Sequence, residues 1–341
     1  MTYRENWFTR LMGFPEHTPD SVRGNIVLDG HRLTSLVTGR SFQFGRLETP
    51  SLAELRCQLA GANLDKGKLQ VDEVVGDARQ LHSDSANEGA VFQVASQFNL
   101  LEMTHYSVTP EQGIGGYQHD PTQGPACAIA CGAGTIYRNY FVQLEGQVGQ
   151  TREKQIDCLA EMGQALGNEN GRLWRMKNGY ALPTATGLDD TAAQLQGMRE
   201  EQLDALRQKL RIGVQHDTQV TLHGSNHLVT QVYCSALPVA YGEHPPELWE
   251  PFARLVLEAS YEATLAVAAL KAVAAGNSCG NNTLYLTYLG GGAFGNHLTW
   301  ITDAMRRACL RFLDCNLNIK LVSHGARNPA AQQLIESLSS E

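Results

Sequence analysis

The chain has 341 residues, 27 Lys plus Arg against 35 Asp plus Glu, a net charge of −8 and 43% hydrophobic residues. That apolar share is ample for a packed core and excludes a disordered chain, while the absence of a basic stripe excludes recognition of a nucleic-acid backbone. Glycine is the anomaly: 33 residues, about one in ten, against roughly 7% in an average chain.

The opening MTYRENW has no apolar stretch of the kind a secretory signal needs, so a cytoplasmic protein is expected. Apolar runs at 25–28, 33–37 and 41–44 predict short strands, and 52–59 predicts a helix with Ser51 as N-cap. Strands are expected at 71–75 and 89–95, and a helix over 126–141 after a glycine-rich loop. Between 150 and 212 the chain is polar, with helical patterns at 152–166 and 191–210 around a hairpin at 173–183. Further on, 229–239 reads as a strand and 246–275 as a long helix. Glu258, Glu262 and Lys271 make its apolar part a buried helix rather than a membrane span. A strand at 283–289, a helix at 296–313, a strand at 319–323 and a helix at 329–338 complete the chain. Strands alternating with helices of these lengths predict an α/β layered domain. Length alone allows two average domains or one large α/β domain.

Several motifs fail on context. Gly276–Gly280 fits G-x-S-x-G around Ser278, but it closes a helix and opens a strand, the reverse of a nucleophile elbow. The stretch 61–68 resembles a P-loop with one residue too many, and Leu69 stands where Ser or Thr is needed. Gly290–Gly295 matches G-x-G-x-x-G between a strand and a helix, yet only 46 residues follow, too few for a doubly wound nucleotide domain. Its local physics stands: bare N–H groups and a helix N-terminus suit an anionic diphosphate. His223 and His227 lack a third zinc ligand, and Cys127 and Cys131 read as small side chains in a tight helix start, so no metal is expected. The eight cysteines contain no CxxC pair, and reduced thiols are expected.

Three segments make sense together as one site. VDEVVGDA (71–78) followed by GAVFQVASQFN (89–99) supplies two strand ends, and GIGGYQHDPTQGPACAIACGAG (113–134) supplies a glycine loop entering a small-residue helix. YLGGGAFGN (288–296) supplies the second loop. These segments resemble the macrodomain superfamily of ADP-ribose-binding proteins. The likeness is greatest to a divergent branch with the poly(ADP-ribose) glycohydrolases and effector macrodomains of the MavL type, which act on ADP-ribosylarginine. The resemblance covers roughly 68–145 and 215–338. It implies a three-layer α/β/α fold on a mixed sheet over 63–341, with 1–62 as an N-terminal extension and about 150–212 as a helical insertion.

The resemblance also implies roles. Asp77, with Ala78, would receive the adenine amino group; from the bare sequence Asp77 is equally a turn-capping aspartate. Gly290, Gly291, Gly292, Ala293, Gly295 and Asn296 would form the diphosphate loop, with Phe294 packed on the distal ribose. Ser96, Gln97 and Asn99 occupy the region of the family's ribose-contacting Asn; Gln93 and Ser96 replace the usual two asparagines. Gly115, Gly116 and Gly124 would flank Asp120, the first choice for the carboxylate that assists water attack, with Gln123 and Asn99 beside it. Outside that pattern Asp120-Pro121 is a plain turn starter. Glu102 and Glu111 are secondary candidates, and Tyr137, Arg138 and Asn139 either support the loop or pack.

The function so implied is hydrolysis of ADP-ribose from modified protein, arginine-linked, with no cofactor, no nucleic acid and no membrane partner. An effector of this kind would work in a host cytosol. The alternatives are a non-catalytic reader of ADP-ribose and, on the Gly290 loop alone, a nicotinamide-dinucleotide oxidoreductase.

Overall fold

The computed structural model describes residues 5–64, 66–275 and 282–340, so the Ser278 motif lies outside the described residues. The first sixty residues form α1 (Trp7–Met12), α2 (Pro19–Gly24) and a meander of β1 (Ile26–Asp29), β2 (Arg32–Ser35) and β3 (Ser41–Gln43). They end in β4 (Arg46–Glu48) and α3 (Leu52–Gly61). Ser51 and Glu54 close a reciprocal capping box at the start of α3, as its N-cap position predicts. Next come β5 (Gln70–Val75), α4 (Ala78–Ser83), β6 (Val91–Ala95), α5 (Gln123–Ala130) and α6 (Gly132–Tyr140).

The polar region holds a short ribbon, β7 (Gln143–Leu144) with β8 (Gln147–Val148), then α7 (Ala160–Leu166). The predicted hairpin follows as β9 (Trp174–Lys177) and β10 (Tyr180–Pro183), then α8 (Gly187–Gln196) and α9 (Glu200–Arg207). The chain ends with β11 (Gly213–Gln219), β12 (Leu228–Cys234), α10 (Pro246–Ala275), β13 (Thr283–Leu286), α11 (Leu298–Leu310), β14 (Asn318–Ser323) and α12 (Pro329–Ser339).

The central sheet has seven strands in the order β4-β11-β12-β6-β13-β14-β5. Strands β12, β6, β13, β14 and β5 are parallel, and β11 runs antiparallel to both its neighbours. The mixed sheet and its helical layers match the three-layer expectation. Gln93 on β6 points to Thr264 of α10, while its neighbour Phe92 stacks on His82 of α4. The two helical layers therefore lie on opposite faces, α4–α6 on one and α10–α12 with α3, α8 and α9 on the other. Among the described residues no helix is long and apolar enough to cross a membrane.

Residues 5–62 pack onto this body. β4 is an edge strand of the main sheet, and Trp7, Phe8, Met12 and Phe14 bury themselves against Ile129, Ala133 and Ile136 of α5 and α6. The helix expected over 126–141 breaks at Cys131. Thr221, just past β11, donates its backbone N–H to Ala130 O at 2.8 Å and accepts the Gly132 N–H on its hydroxyl at 3.1 Å. A foreign side chain in the ladder splits the helix in two.

Candidate functional site

The parallel strands place their C-terminal ends along one edge, where ligands bind in open α/β sheets. A cleft opens there between β6 and β13, whose pairing is limited to Val91–Leu284 and Phe92–Tyr285. Beyond that point Gln123, at the start of α5, takes the place of a strand. Its Nε2 donates to Gln93 O at 2.9 Å and its Oε1 accepts the Ala95 N–H at 3.0 Å. Gly124 makes this approach feasible, because a Cβ there would lie 2.0 Å from Ala95 O. Gln123 and Gly124 thus line the cleft, with Gln123 committed to holding it open.

The loop after β6 folds back on itself to present a carboxyl. Gln97 bridges it, its Oε1 accepting the Met103 N–H at 2.7 Å and its Nε2 donating to Met103 O at 3.2 Å. Ser96 also lines the cleft and donates its hydroxyl to Gln97 O at 3.0 Å. Between these anchors Glu102 enters the cleft, 2% exposed, with neither carboxyl oxygen hydrogen-bonded among the described residues. Beneath it Arg138 is fully buried, donating to Leu100 O at 2.9 Å and lying 3.7 Å from the centre of the Tyr233 ring. Its nearest approach to Glu102 is 4.0 Å, too long for a hydrogen bond. Burial therefore dominates over the arginine's charge, and the Glu102 carboxyl is pushed up to about 8. Glu102, a secondary candidate in the sequence, is the most perturbed carboxyl of the cleft; a Glu beside apolar neighbours carries no linear signal of this environment.

Asp120 lines the same cleft. Its Oδ1 accepts the N–H and the hydroxyl of Thr122 at 2.8 and 2.6 Å, an Asx turn that fixes the entry to α5. Across from it stand three rings: Tyr180 from the insertion's hairpin, Tyr241 after β12, and Phe294, with centroids 5.3–5.6 Å apart. Burial raises the Tyr180 hydroxyl's pKa, Tyr241 adds to it, and so does the negative charge of Asp120, which is therefore within electrostatic reach. Tyr180 donates to Met103 O at 2.7 Å and so ties the hairpin to the Glu102 loop. No sequence feature of the insertion singled out this tyrosine.

Phe294, Gly290, Gly292 and Ala293 form the opposite wall. The N–H groups of Gly292, Ala293 and Phe294 meet no acceptor among the described residues, whereas Gly291 and Gly295 use theirs inside the turn. Asn296 sits behind the loop and closes it, donating to Leu237 O at 2.8 Å and Gly290 O at 3.4 Å. The loop leads into α11, and its three free amides are a geometry suited to an anion.

Other sequence candidates fall elsewhere. Asn99 is buried outside the cleft, donating to Gln155 at 2.8 Å and accepting the Leu101 N–H at 3.1 Å, so both ends of its amide are committed to shaping the loop and seating the insertion. Gly115 and Gly116 are not cleft residues: the Gly115 N–H donates to Glu16 at 2.6 Å, and Gly116 faces open space. Asp77 caps α4, accepting the Arg79 N–H at 2.7 Å; with Ala78 it lies at the end of β5, three strands from β6. Glu111 accepts the Arg152 N–H at 2.7 Å, away from the cleft. His223 and His227 diverge: His227 is buried against His82 O at 2.8 Å, and His223 sits in a left-handed turn. Cys127 and Cys131 are buried, as small packing side chains should be.

No protein-family model matches the chain, and no curated protein matches it. Among solved structures it is similar to poly(ADP-ribose) glycohydrolase from Deinococcus radiodurans in complex with ADP-ribose, at 14% identity and a TM-score of 0.45, covering 86% of this chain and 94% of that one. It is also similar to poly(ADP-ribose) glycohydrolase from Thermomonospora curvata, at 13% identity and a TM-score of 0.47, covering 94% and 97%. The site itself therefore carries the functional reading.

Proposed function

We propose that this protein releases ADP-ribose from modified protein, with arginine as the linkage residue. The observation that carries the reading is the polarity of the cleft. Unpaired N–H groups of 292–294 line one wall, two carboxyls with Tyr180 and Tyr241 line the other, the Phe294 ring stands between them, and no Lys or Arg lines the cleft among the described residues. The first wall suits a diphosphate. The second suits a cationic guanidinium, which stacks on ring faces and pairs with carboxylate. The VASQFN and GGGAFGN segments add the macrodomain resemblance; adenine is assigned in this reading to Asp77.

In the proposed reaction the oxygen of water attacks the anomeric carbon of the distal ribose as the C–N bond breaks. The bonding pair leaves with the guanidine nitrogen. Glu102, neutral at pH 7 because burial pushes it up to about 8, donates its proton to that nitrogen. Asp120 accepts the proton of the attacking water and stabilises the oxocarbenium-like charge. Proton return through solvent resets the two carboxyls.

The test is incubation with peptides carrying ADP-ribose on arginine, serine or glutamate, reading free ADP-ribose. Release from the arginine peptide is expected. Release from serine or glutamate alone would overturn the linkage assignment. Tight calorimetric binding of ADP-ribose with no release from any peptide would replace the hydrolase with a reader.

A further inference from the structure

The first glycine turn already holds a carboxyl group, and it belongs to the chain itself. Glu16 lies between α1 and α2. Its Oε1 accepts the Ile114 N–H at 2.9 Å and the Tyr140 hydroxyl at 2.6 Å, and its Oε2 accepts the Gly115 N–H at 2.6 Å. Two successive backbone amides converging on one acceptor group is the arrangement that elsewhere receives phosphate. Burial pushes the Glu16 carboxyl up, and the Ile114, Tyr140 and Gly115 donors pull it down. The same segment grips the turn twice more. Trp7 donates its indole N–H to Ile114 O at 2.9 Å and its backbone N–H to Gln118 Oε1 at 3.0 Å.

The inner side of the turn reaches the cleft. Tyr117 Oη accepts the Glu102 N–H at 3.0 Å, and Tyr117 O accepts the Asp120 N–H at 3.1 Å. We infer that Glu16 is a positioning residue, seating the 114–120 turn and, through Tyr117, fixing both cleft carboxyls while leaving the 292–294 anion loop untouched. Its kinetic test rests on the hydrolase reading; its exchange test does not.

The experiment uses the full chain with Glu16→Ala, Glu16→Gln and Trp7→Phe. It measures kcat and KM on the arginine-linked peptide, ADP-ribose affinity by calorimetry, and amide hydrogen exchange. For Glu16→Ala, kcat should fall about 10²-fold, the cost of a roughly ångström misplacement. ADP-ribose affinity should stay within about threefold, since the 292–294 loop is not touched. Exchange should accelerate at 114–120 and at Glu102 while the rates over 288–296 stay as in the unmodified protein. Glu16→Gln should be intermediate, because one oxygen can serve Ile114 and Tyr140 but not Gly115. Trp7→Phe, which keeps the ring's bulk, should act in the same direction and less. Unchanged kcat with unchanged exchange overturns the inference. So does a fall in kcat matched by lost ADP-ribose affinity and exchange rising in both loops, which marks a general loss of fold. If the unmodified protein hydrolyses no peptide, the hydrolase reading fails, and local exchange at 114–120 with retained ADP-ribose affinity still decides the role of Glu16.

Discussion

Glu102 and Asp120 are the same chemical group put to different use by their surroundings. Asp120 keeps one oxygen in a turn beside solvent; Glu102 is sealed over an arginine that is too distant to hydrogen-bond it. Asp120→Ala should abolish release of ADP-ribose and leave calorimetric binding of ADP-ribose largely intact; undiminished turnover would remove it from the mechanism. Glu102 makes a second, thermodynamic prediction. Its folded value, about 8, lies above its ordinary value of 4.5, so between those pH values the folded protein holds a proton that the unfolded chain releases. Stability from this group is complete below pH 4.5 and is lost as pH rises through about 8. Melting temperature should fall across that window in the natural protein, by the equivalent of a few kcal/mol, and Glu102→Gln should flatten the fall while abolishing turnover. A parallel fall in the variant would mean that another group is responsible. The two carboxyls differ in how far the chain alone reveals them. Asp120 stood out through its glycine and proline neighbours, but the environment of Glu102 exists only once Gln97, Tyr117 and Arg138 converge on it.

Elements were legible in proportion to how far local pattern decides them. The hairpin of β9 and β10 was clear from Asn178-Gly179 between two apolar runs, and α10 emerged with the expected bounds. β4 and β11 were not visible. β4 has three residues, and β11 buries Gln215, whose amide donates to Phe44 O at 2.7 Å, so its alternation looks polar. Likewise the pattern at 152–166 shortens to α7, because Gln150 and Gln155 spend their amides on Asn99 and Asn178, not on a helix. The expected helix at 191–210 divides into α8 and α9 around Gly197. The hairpin also yields a test. At Gly179, φ is +80°, and a Cβ would come within 2.5 Å of Asn99 Oδ1 and Gln97 Cβ. Gly179→Ala should lift the hairpin, carry Tyr180 off Met103 O, and destabilise the protein by about 1–3 kcal/mol. Denaturant melts and ADP-ribose affinity should both register it; wild-type values in both would show that Tyr180 does not depend on this turn.

At the scale of the molecule, the layered architecture was legible from strand–helix alternation and the family resemblance, and the way its outlying parts attach was not. The insertion is fastened to the helical layer by a charge network. Glu262 on α10, its side chain 3% exposed, meets Arg56 of α3 at 2.6 Å, Arg307 of α11 at 2.9 Å and Arg311 at 3.0 Å. Arg56 continues to Asp204 of α9 at 2.6 Å, and Arg207 of α9 meets Glu258 at 2.6 Å. The same acidic residues that excluded a membrane span are therefore the joints of the insertion. Glu262→Ala should destabilise the protein by about 1–3 kcal/mol, because the carboxylate is buried while Arg56 and Arg307 reach solvent and keep Asp204 as a partner. A change below about 1 kcal/mol would reduce the network to surface pairing.

The amide of Gln123 stands where a neighbouring strand would complete the ladder, so the cleft exists because the sheet is left unzipped along one seam. Regular pairing of β6 with β13 and an open binding site compete for the same backbone groups. Selection of variants for heat resistance alone should therefore favour closing that seam, and the hardiest proteins so obtained should be the ones least able to admit a ligand.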